Sequence, residues 1–175
     1  MKWKLPWMIV VVAAVGCSGV RVRTPTATAT LAPTKGQQVS GKVDFTQTQN
    51  GVLVEARVTG LTPGRHGFHI HERGNCTGDA AGAGAHFNPL AAAHGALIDG
   101  ARHAGDLGNL DADASGVATY RAEVTGISLG TGEDSIIGRA VIVHERADDL
   151  TTQPAGNAGA RQACGLVSKS ADKWF

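Results

Sequence analysis

Two histidines separated by a single residue, His69 and His71, are the first residues of this chain whose type and spacing point to chemistry. Residues two apart in a β-strand point to the same face, so both imidazole rings can reach one metal ion from one strand. The alternating residues Phe68 and Ile70 would then point into a core. The pair alone is weak support for a metal site, because neighbouring histidines are more often incidental.

The positions of the other histidines strengthen this interpretation. The chain contains seven histidines, and four of them lie beside glycines, an aspartate or the end of an apolar strand: His86, His94, His103 and His144. Asp106 follows in the sequence H-A-G-D. Such a distribution is poor for core packing, whereas imidazole suits copper and zinc, and a carboxylate among the ligands favours zinc in a closed tetrahedral site. His66 is left over, and we expect it to lie outside the ligand set.

Short β-strands are predicted on both sides of these histidines. Alternating apolar and polar residues recur between glycine-rich turns, over residues 39–45, 52–58, 116–123, 135–144 and 161–167 and around His69. Short strands with regular turns and no long helical period predict an antiparallel sandwich or barrel. Residues 77–105 have no strand pattern but carry three of the histidines, so we expect a functional loop there.

The composition indicates one domain without a nucleic-acid partner. The chain has 175 residues, a formal net charge of +1, and 16 basic against 15 acidic residues. A nucleic-acid binder would normally concentrate basic residues on one face, and no such excess is present.

The N-terminus is typical of an exported chain. Basic residues precede a short apolar run, so residues 1–16 are predicted to be a signal peptide. The run is shorter than the ~20 apolar residues that a membrane-spanning helix needs. The residues before Cys17 resemble a bacterial lipobox, which would make Cys17 the lipidated first residue of the mature chain. Ordinary cleavage elsewhere and an uncleaved anchor are the alternatives.

The remaining boundaries follow from composition. Residues 17–36 are rich in threonine, proline and alanine and are predicted to be the lipid-anchored cysteine with a linker. Residues 37–168 are predicted to form the domain, and residues 169–175 a C-terminal tail.

Five motifs occur in a fixed order: G-F-H-I-H-E, G-A-H-F-N-P, R-H-A-G-D-L-G-N, I-I-G-R-A-V-I-V-H-E-R-A-D-D-L and G-N-A-G-A-R-Q-A-C-G. In sequence and in order they resemble the copper/zinc superoxide dismutases, specifically the bacterial exported form. The resemblance runs from about Val39 to Val167. It implies a Greek-key antiparallel β-sandwich or barrel of about eight strands, with long metal-binding loops.

The resemblance also implies the site. The implied copper ligands are His69, His71, His86 and His144. The implied zinc ligands are His86, His94, His103 and Asp106, so His86 would bridge the two metals. Four further residues have implied roles: Asp148 as a carboxylate between His69 and His94, Arg161 as the arginine that attracts and orients superoxide, and Cys76 with Cys164 as a disulfide.

The implied activity is that of an oxidoreductase. It would convert superoxide to molecular oxygen and hydrogen peroxide by one-electron cycling of copper, with zinc structural and tuning His86. Arg161 and His86 would be the catalytic residues. An exported lipoprotein of this kind would be attached through Cys17 in the periplasm or cell envelope. The oligomeric state is left open, with a homodimer of the bacterial type as one option.

Two alternative functions share the predicted fold and lipid anchor but not the enzymatic activity. A lipid-anchored copper or zinc carrier on the same fold would need the histidines but not Arg161. A structural lipoprotein would leave the placed histidines unexplained.

Overall fold

The computed structural model describes Thr24 and residues 26–170. The predicted signal peptide over residues 1–16, Cys17 and residues 171–175 of the predicted tail lie outside the described residues. Within the part of the chain that is described, no helix has the length and apolar character needed to cross a membrane.

Among the described residues, nine strands form one antiparallel sheet. Their bounds are β1 Thr26–Pro33, β2 Ser40–Gln47, β3 Val52–Thr59, β4 Gly64–His71, β5 Asp106–Ala112, β6 Ala118–Val124, β7 Ala140–His144, β8 Arg161–Leu166 and β9 Ser168–Lys169. The pairing order is β2-β3-β6-β5-β4-β7-β8-β1, and a further pairing of β1 with β2 closes the ring. The all-β fold, a closed barrel of eight strands with a short ninth strand beside β1, is therefore confirmed.

Alternation along the strands builds the core. In β2 and β3 the side chains of Val43, Phe45, Val54 and Val58 are fully buried, while Asp44, Glu55 and Arg57, which point the other way, are partly or fully exposed. Because successive side chains of a strand point to opposite faces, the four buried residues fill the barrel interior.

The strands near the histidines are buried on both faces. Every residue of β7 is buried. On the outer face, Ile142 and Cys164 form a small apolar cluster with Ala80 and Ala83 of the segment after β4. The long segments between strands therefore cover this side of the barrel and exclude water from it.

The Cys76–Cys164 disulfide implied by the resemblance is present in the structure, with a Cα–Cα distance of 5.7 Å. It ties the covering segment after β4 to strand β8, across a sequence separation of 88 residues. Loop-closure entropy for a span of this length corresponds to ~4–5 kcal/mol of stabilisation.

The predicted linker over residues 17–36 is wrong from Thr26 onward. Strand β1 pairs with β2 from Thr26 to Leu31 and with β8 at its end. Ala27, Ala29 and Leu31 alternate into the core with 2% exposure or less. Alanine and threonine differ too little in hydrophobicity for this alternation to stand out in the sequence, although β-branched threonine fits a pleated surface well. The barrel therefore begins at Thr26 and not at residue 37.

Two further differences concern β5 and the C-terminus. The sequence pattern does not predict strand β5, because a bulge opposite the step from Gly67 to His69 and a positive φ of 82° at Gly108 break its alternation. At the C-terminus, Lys169 pairs with Ala27, so the predicted tail from residue 169 begins too early.

Candidate metal centre

Two paired strands and one returning segment bring the first four histidines together. His69 and His71 lie near the end of β4, and His144 ends the neighbouring strand β7. His86 returns to the same place because it forms a β-bridge with His71, and Phe87 N–H donates to Ile70 O at 2.8 Å.

In this first cluster, one ring nitrogen from each histidine lies within 4.8 Å of the nitrogens of the others, and all four residues are buried. The nitrogens His69 Nδ1, His71 Nε2, His86 Nε2 and His144 Nε2 are buried and have no hydrogen-bond partner among the described residues. Buried polar atoms are rarely left unpaired. Four such lone pairs facing one point are a good fit for a metal ion.

Hydrogen bonds on the opposite ring nitrogens fix the orientation of these rings. His71 Nδ1 donates to Gly84 O at 2.9 Å, and His144 Nδ1 donates to Gly159 O at 3.2 Å. His69 Nε2 donates to Asp148 Oδ2 at 2.8 Å. Such partners set the tautomer, so that the free nitrogen of each ring is the one inside the cluster.

The second cluster contains His86, His94, His103 and Asp106, again buried and within 4.8 Å of one another. His86 Nδ1 and His103 Nδ1 are 3.5 Å apart, and each lies 2.8–3.2 Å from Asp106 Oδ1. Ligands at ~2.0–2.1 Å from a tetrahedral zinc ion would be ~3.3 Å apart. The spacing therefore fits one zinc ion, and His86 presents one ring nitrogen to each cluster.

Asp148 links the two clusters. Its Oδ2 accepts from His69 Nε2, and its Oδ1 accepts from His94 Nε2 at 2.9 Å. Its backbone is held by Asn109, whose side chain bonds Asp148 N–H at 2.8 Å and Asp148 O at 3.0 Å. The carboxylate thus has a fixed position between one ring of each cluster.

Burial favours the neutral form of three rings of the first cluster, those of His69, His71 and His144, by lowering their pKa values. It lowers the pKa of His69 to about 4 and that of His144 to about 3. Burial together with the neighbouring His86 lowers the pKa of His71 far below its ordinary value. Neutral imidazoles expose lone pairs, so at neutral pH these three rings are ready to bind a metal.

The second cluster contains fixed charge. Burial opposes ionisation of Asp106, but hydrogen bonds with His86 and His94 hold the pKa of its carboxyl well below the usual range. Burial likewise disfavours a charged His94, yet the carboxylates of Asp106 and Asp148 outweigh it and raise the pKa of His94 to about 9. A divalent cation would replace that proton between the ring and Asp106.

Arg161 lies at the rim of the first cluster. It begins β8, and its guanidinium donates to the carbonyl groups of Ala80 and Gly84. Gly84 O also accepts the hydrogen bond from His71, so one carbonyl fixes both side chains. Burial lowers the pKa of Arg161 from its ordinary value.

The structure places the leftover histidine, His66, outside both clusters. Its ring is buried between His144 O at 2.9 Å and Thr62 O at 2.9 Å. Sequence reasoning missed three contributors: the Gly84 carbonyl, Asn109, and Gln153, whose side chain bonds the backbone of His94. Asn109 belongs to the motif R-H-A-G-D-L-G-N, but no motif in the sequence contains Gln153.

Comparisons with known proteins agree with this geometry. A family model described as "Copper/zinc superoxide dismutase (SODC)" matches residues 39–167. The chain is similar to "Superoxide dismutase [Cu-Zn] 2" of Mesembryanthemum crystallinum, with 49% identity over 140 residues. The alignment covers 76% of this chain and 89% of that protein.

The stability of the metal-free protein should depend on pH in two directions. The folded-state pKa values of His69 and His144, about 4 and about 3, lie below the unfolded value. The unfolded chain then binds more protons, and the free energy of unfolding falls as pH decreases from 6.5. The slope approaches ~1.4 kcal/mol per pH unit for each such histidine.

His94, with its raised pKa of about 9, stabilises the fold below pH ~6.5, and this contribution is lost as pH rises through 9.

Denaturant unfolding of the disulfide-intact, metal-free protein between pH 4.5 and 10 would measure the free energy of unfolding on both the acid and the alkaline side. The variant His144→Gln should reduce the acid slope by about the share of one histidine. A stability that stays flat between pH 6.5 and 4.5 would contradict the neutral, buried state of His69 and His144.

Proposed function

The chain belongs to the copper/zinc superoxide dismutase family, and we propose how its residues divide the tasks of that reaction. It is an oxidoreductase that converts superoxide to molecular oxygen and hydrogen peroxide with copper and zinc. Bound copper supplies the one-electron chemistry, while bound zinc holds and tunes the histidine shared by the two sites.

We assign copper to His69, His71, His86 and His144, and zinc to His86, His94, His103 and Asp106. Four imidazoles suit copper, whereas three imidazoles with one carboxylate suit a closed zinc site. The observation that carries this assignment is the position of His86. Its Nε2 is one of the unpaired nitrogens of the first cluster, and its Nδ1 lies 2.8 Å from Asp106 of the second.

His86 is also the residue that we propose to move a proton. Production of hydrogen peroxide needs protons at a centre from which water is largely excluded. His86 Nε2 is buried and unpaired among the described residues, and it faces the cluster where substrate reacts. The contact of Nδ1 with Asp106 keeps the ring in place while Nε2 gains or releases the proton.

Arg161 is proposed to attract and orient superoxide. Its hydrogen bonds to Ala80 and Gly84 fix the guanidinium but use only part of its five N–H donors. The others are available to a small anion at the rim of the first cluster. Because the acceptor carbonyls belong to the segment that Cys76 ties to β8, the disulfide supports this position.

Variants of single ligands should separate the two metals. His144→Ala should remove copper and leave zinc, and it should lower dismutation at least ~100-fold, because a lost ligand costs more than the 10–100-fold typical of a lost outer partner. His103→Ala should remove zinc and leave copper bound. Metal content per chain and superoxide decay would be measured together. Loss of zinc but not copper from His144→Ala would refute the assignment.

The role of Arg161 can be tested without disturbing the metals. Arg161→Ala should slow superoxide decay about tenfold, at the lower end of the range for electrostatic steering, and should weaken its dependence on salt. Copper and zinc content should be unchanged. Arg57→Ala, which removes the same charge from an exposed position on β3, is the matched control. Equal rates for the two variants would argue against steering by Arg161.

We also propose that the protein is an exported lipoprotein of the bacterial type, held in the periplasm or cell envelope. Support comes from the basic start, the apolar run and the lipobox-like residues before Cys17. Formation of a disulfide fits an oxidising compartment. The homodimer of the bacterial type stays a prediction.

The anchor has a direct test in a bacterial host. The full chain should incorporate labelled fatty acid and sediment with membranes, whereas Cys17→Ser should do neither while keeping its activity. Cys17 is neither an assigned metal ligand nor a member of the Cys76–Cys164 disulfide, so we expect the substitution to leave the metal centre intact. Release of the unaltered chain into the soluble fraction, without label, would rule out the lipid anchor.

A further inference from the structure

His94 and His103 are the two residues of the clusters that lie in neither a strand nor a β-bridge, whereas His69, His71, His144 and Asp106 lie in strands and His86 forms a β-bridge. His103 is close to the start of β5, and its N–H donates to Asp106 Oδ2 at 3.1 Å. Residues 91–96 form neither strand nor helix, so no sheet register fixes the backbone of His94. Its position must come from side-chain contacts.

One side chain bonds both main-chain polar groups of His94. His94 N–H donates to Gln153 Oε1 at 2.8 Å, and Gln153 Nε2 donates to His94 O at 2.9 Å. No other hydrogen bond reaches these two atoms within the described chain. His94 is 4% exposed, so an unmet main-chain group there would be costly.

The loop that carries Gln153 also holds the ring of His94. Asp148 Oδ1 accepts from His94 Nε2 at 2.9 Å. The backbone at Gly156 packs so closely that a Cβ there would lie 1.8 Å from Asp148 Oδ1 and 2.7 Å from His94 Nε2. The ring and the main chain of His94 are therefore both held by residues 148–156.

The loop has its own internal support near Gln153. Asp149 accepts hydrogen bonds from Thr151 N–H at 3.0 Å, Thr152 N–H at 2.8 Å and Thr152 Oγ1 at 2.7 Å. Gly156 N–H donates to Thr152 O at 2.7 Å. These bonds present the Gln153 side chain to His94 in a defined place.

We propose that Gln153 is a positioning residue of the zinc site. It fixes the main chain of His94 while Asp148 fixes the ring, so that His94 Nδ1 points at Asp106. The segment carrying His94 and the loop between β7 and β8 then close over the ion as one unit. This inference rests on the proposed zinc ligand set.

The expected effect is selective release of zinc. In the enzyme loaded with both metals, Gln153→Ala should release zinc to an excess of a chromogenic chelator about tenfold faster, the lower end of the range for partners of metal ligands. The copper release rate should change less than twofold. Gln153 is exposed, so its substitution leaves the barrel core intact.

The matched control is Gln47→Ala. Gln47 also joins two loops with its amide, donating to Gly51 O at 2.7 Å and accepting from Leu129 N–H at 2.8 Å, but it lies at the end of β2. It should leave zinc release unchanged. If Gln47→Ala and Gln153→Ala accelerated zinc release equally, the cause would be a general loss of stability, and the proposal would be overturned.

Amide hydrogen exchange gives a second readout that does not depend on activity. Gln153→Ala should remove the protection of the His94 amide. Gln153→Glu keeps the acceptor for His94 N–H and loses the donor to His94 O, so protection should persist and zinc release should be intermediate. Unchanged protection in Gln153→Ala would refute the contact.

A parallel measurement on His103→Ala separates this proposal from the ligand assignment. If His103→Ala loses zinc while Gln153→Ala releases it at the unaltered rate, the role of Gln153 is refuted and the zinc site stands. If His103→Ala retains zinc, the ligand assignment itself is wrong.

Discussion

The metal centre depends on buried imidazole nitrogens for which the described part of the chain supplies no hydrogen-bond partner. Four such nitrogens, unpaired among the described residues, lie in the first cluster on His69, His71, His86 and His144. In an apolar interior an unpaired polar atom is unfavourable, and a metal ion relieves that cost directly. The rest of the molecule serves this arrangement: β4 and β7 are covered on both faces, the disulfide closes the cover, and hydrogen bonds to the outer nitrogens prevent the rings from turning.

Two buried carboxylates make the two clusters one centre. Asp106 lies against the rings of the second cluster, and Asp148 joins His69 to His94. Their negative charges compensate the positive charge of bound metal in a region of low dielectric, where an uncompensated ion would be strongly disfavoured. Asp148 therefore couples the two sites: a shift of the segment around His94 is passed through one carboxylate to a ring of the first cluster.

The sequence predicts those strands and site residues that belong to a recognisable alternation or motif. The strands of β2 and β3 follow from alternation, and the ligands follow from motifs that resemble a known family. Strand β1 cannot be predicted from alternation, because Ala27 and Ala29 differ too little in hydrophobicity from the threonines between them. Strand β5 cannot be predicted because its bulge at Gly108 interrupts the two-residue alternation. Gln153 and the Gly84 carbonyl act through tertiary contacts, which no local sequence motif predicts. Backbone carbonyls in particular have no residue type by which a sequence could reveal them.

Strand β1 sets how far a lipid-anchored barrel could stand from its membrane. With the barrel beginning at Thr26, only residues 18–25 separate it from Cys17. Eight residues reach at most about 28 Å when fully extended. A linker continuing to residue 36 would have allowed more than twice that distance. An anchored enzyme would thus work within one small-domain diameter of the lipid headgroups, and it would intercept superoxide arising at that surface before it reaches the bulk of the compartment.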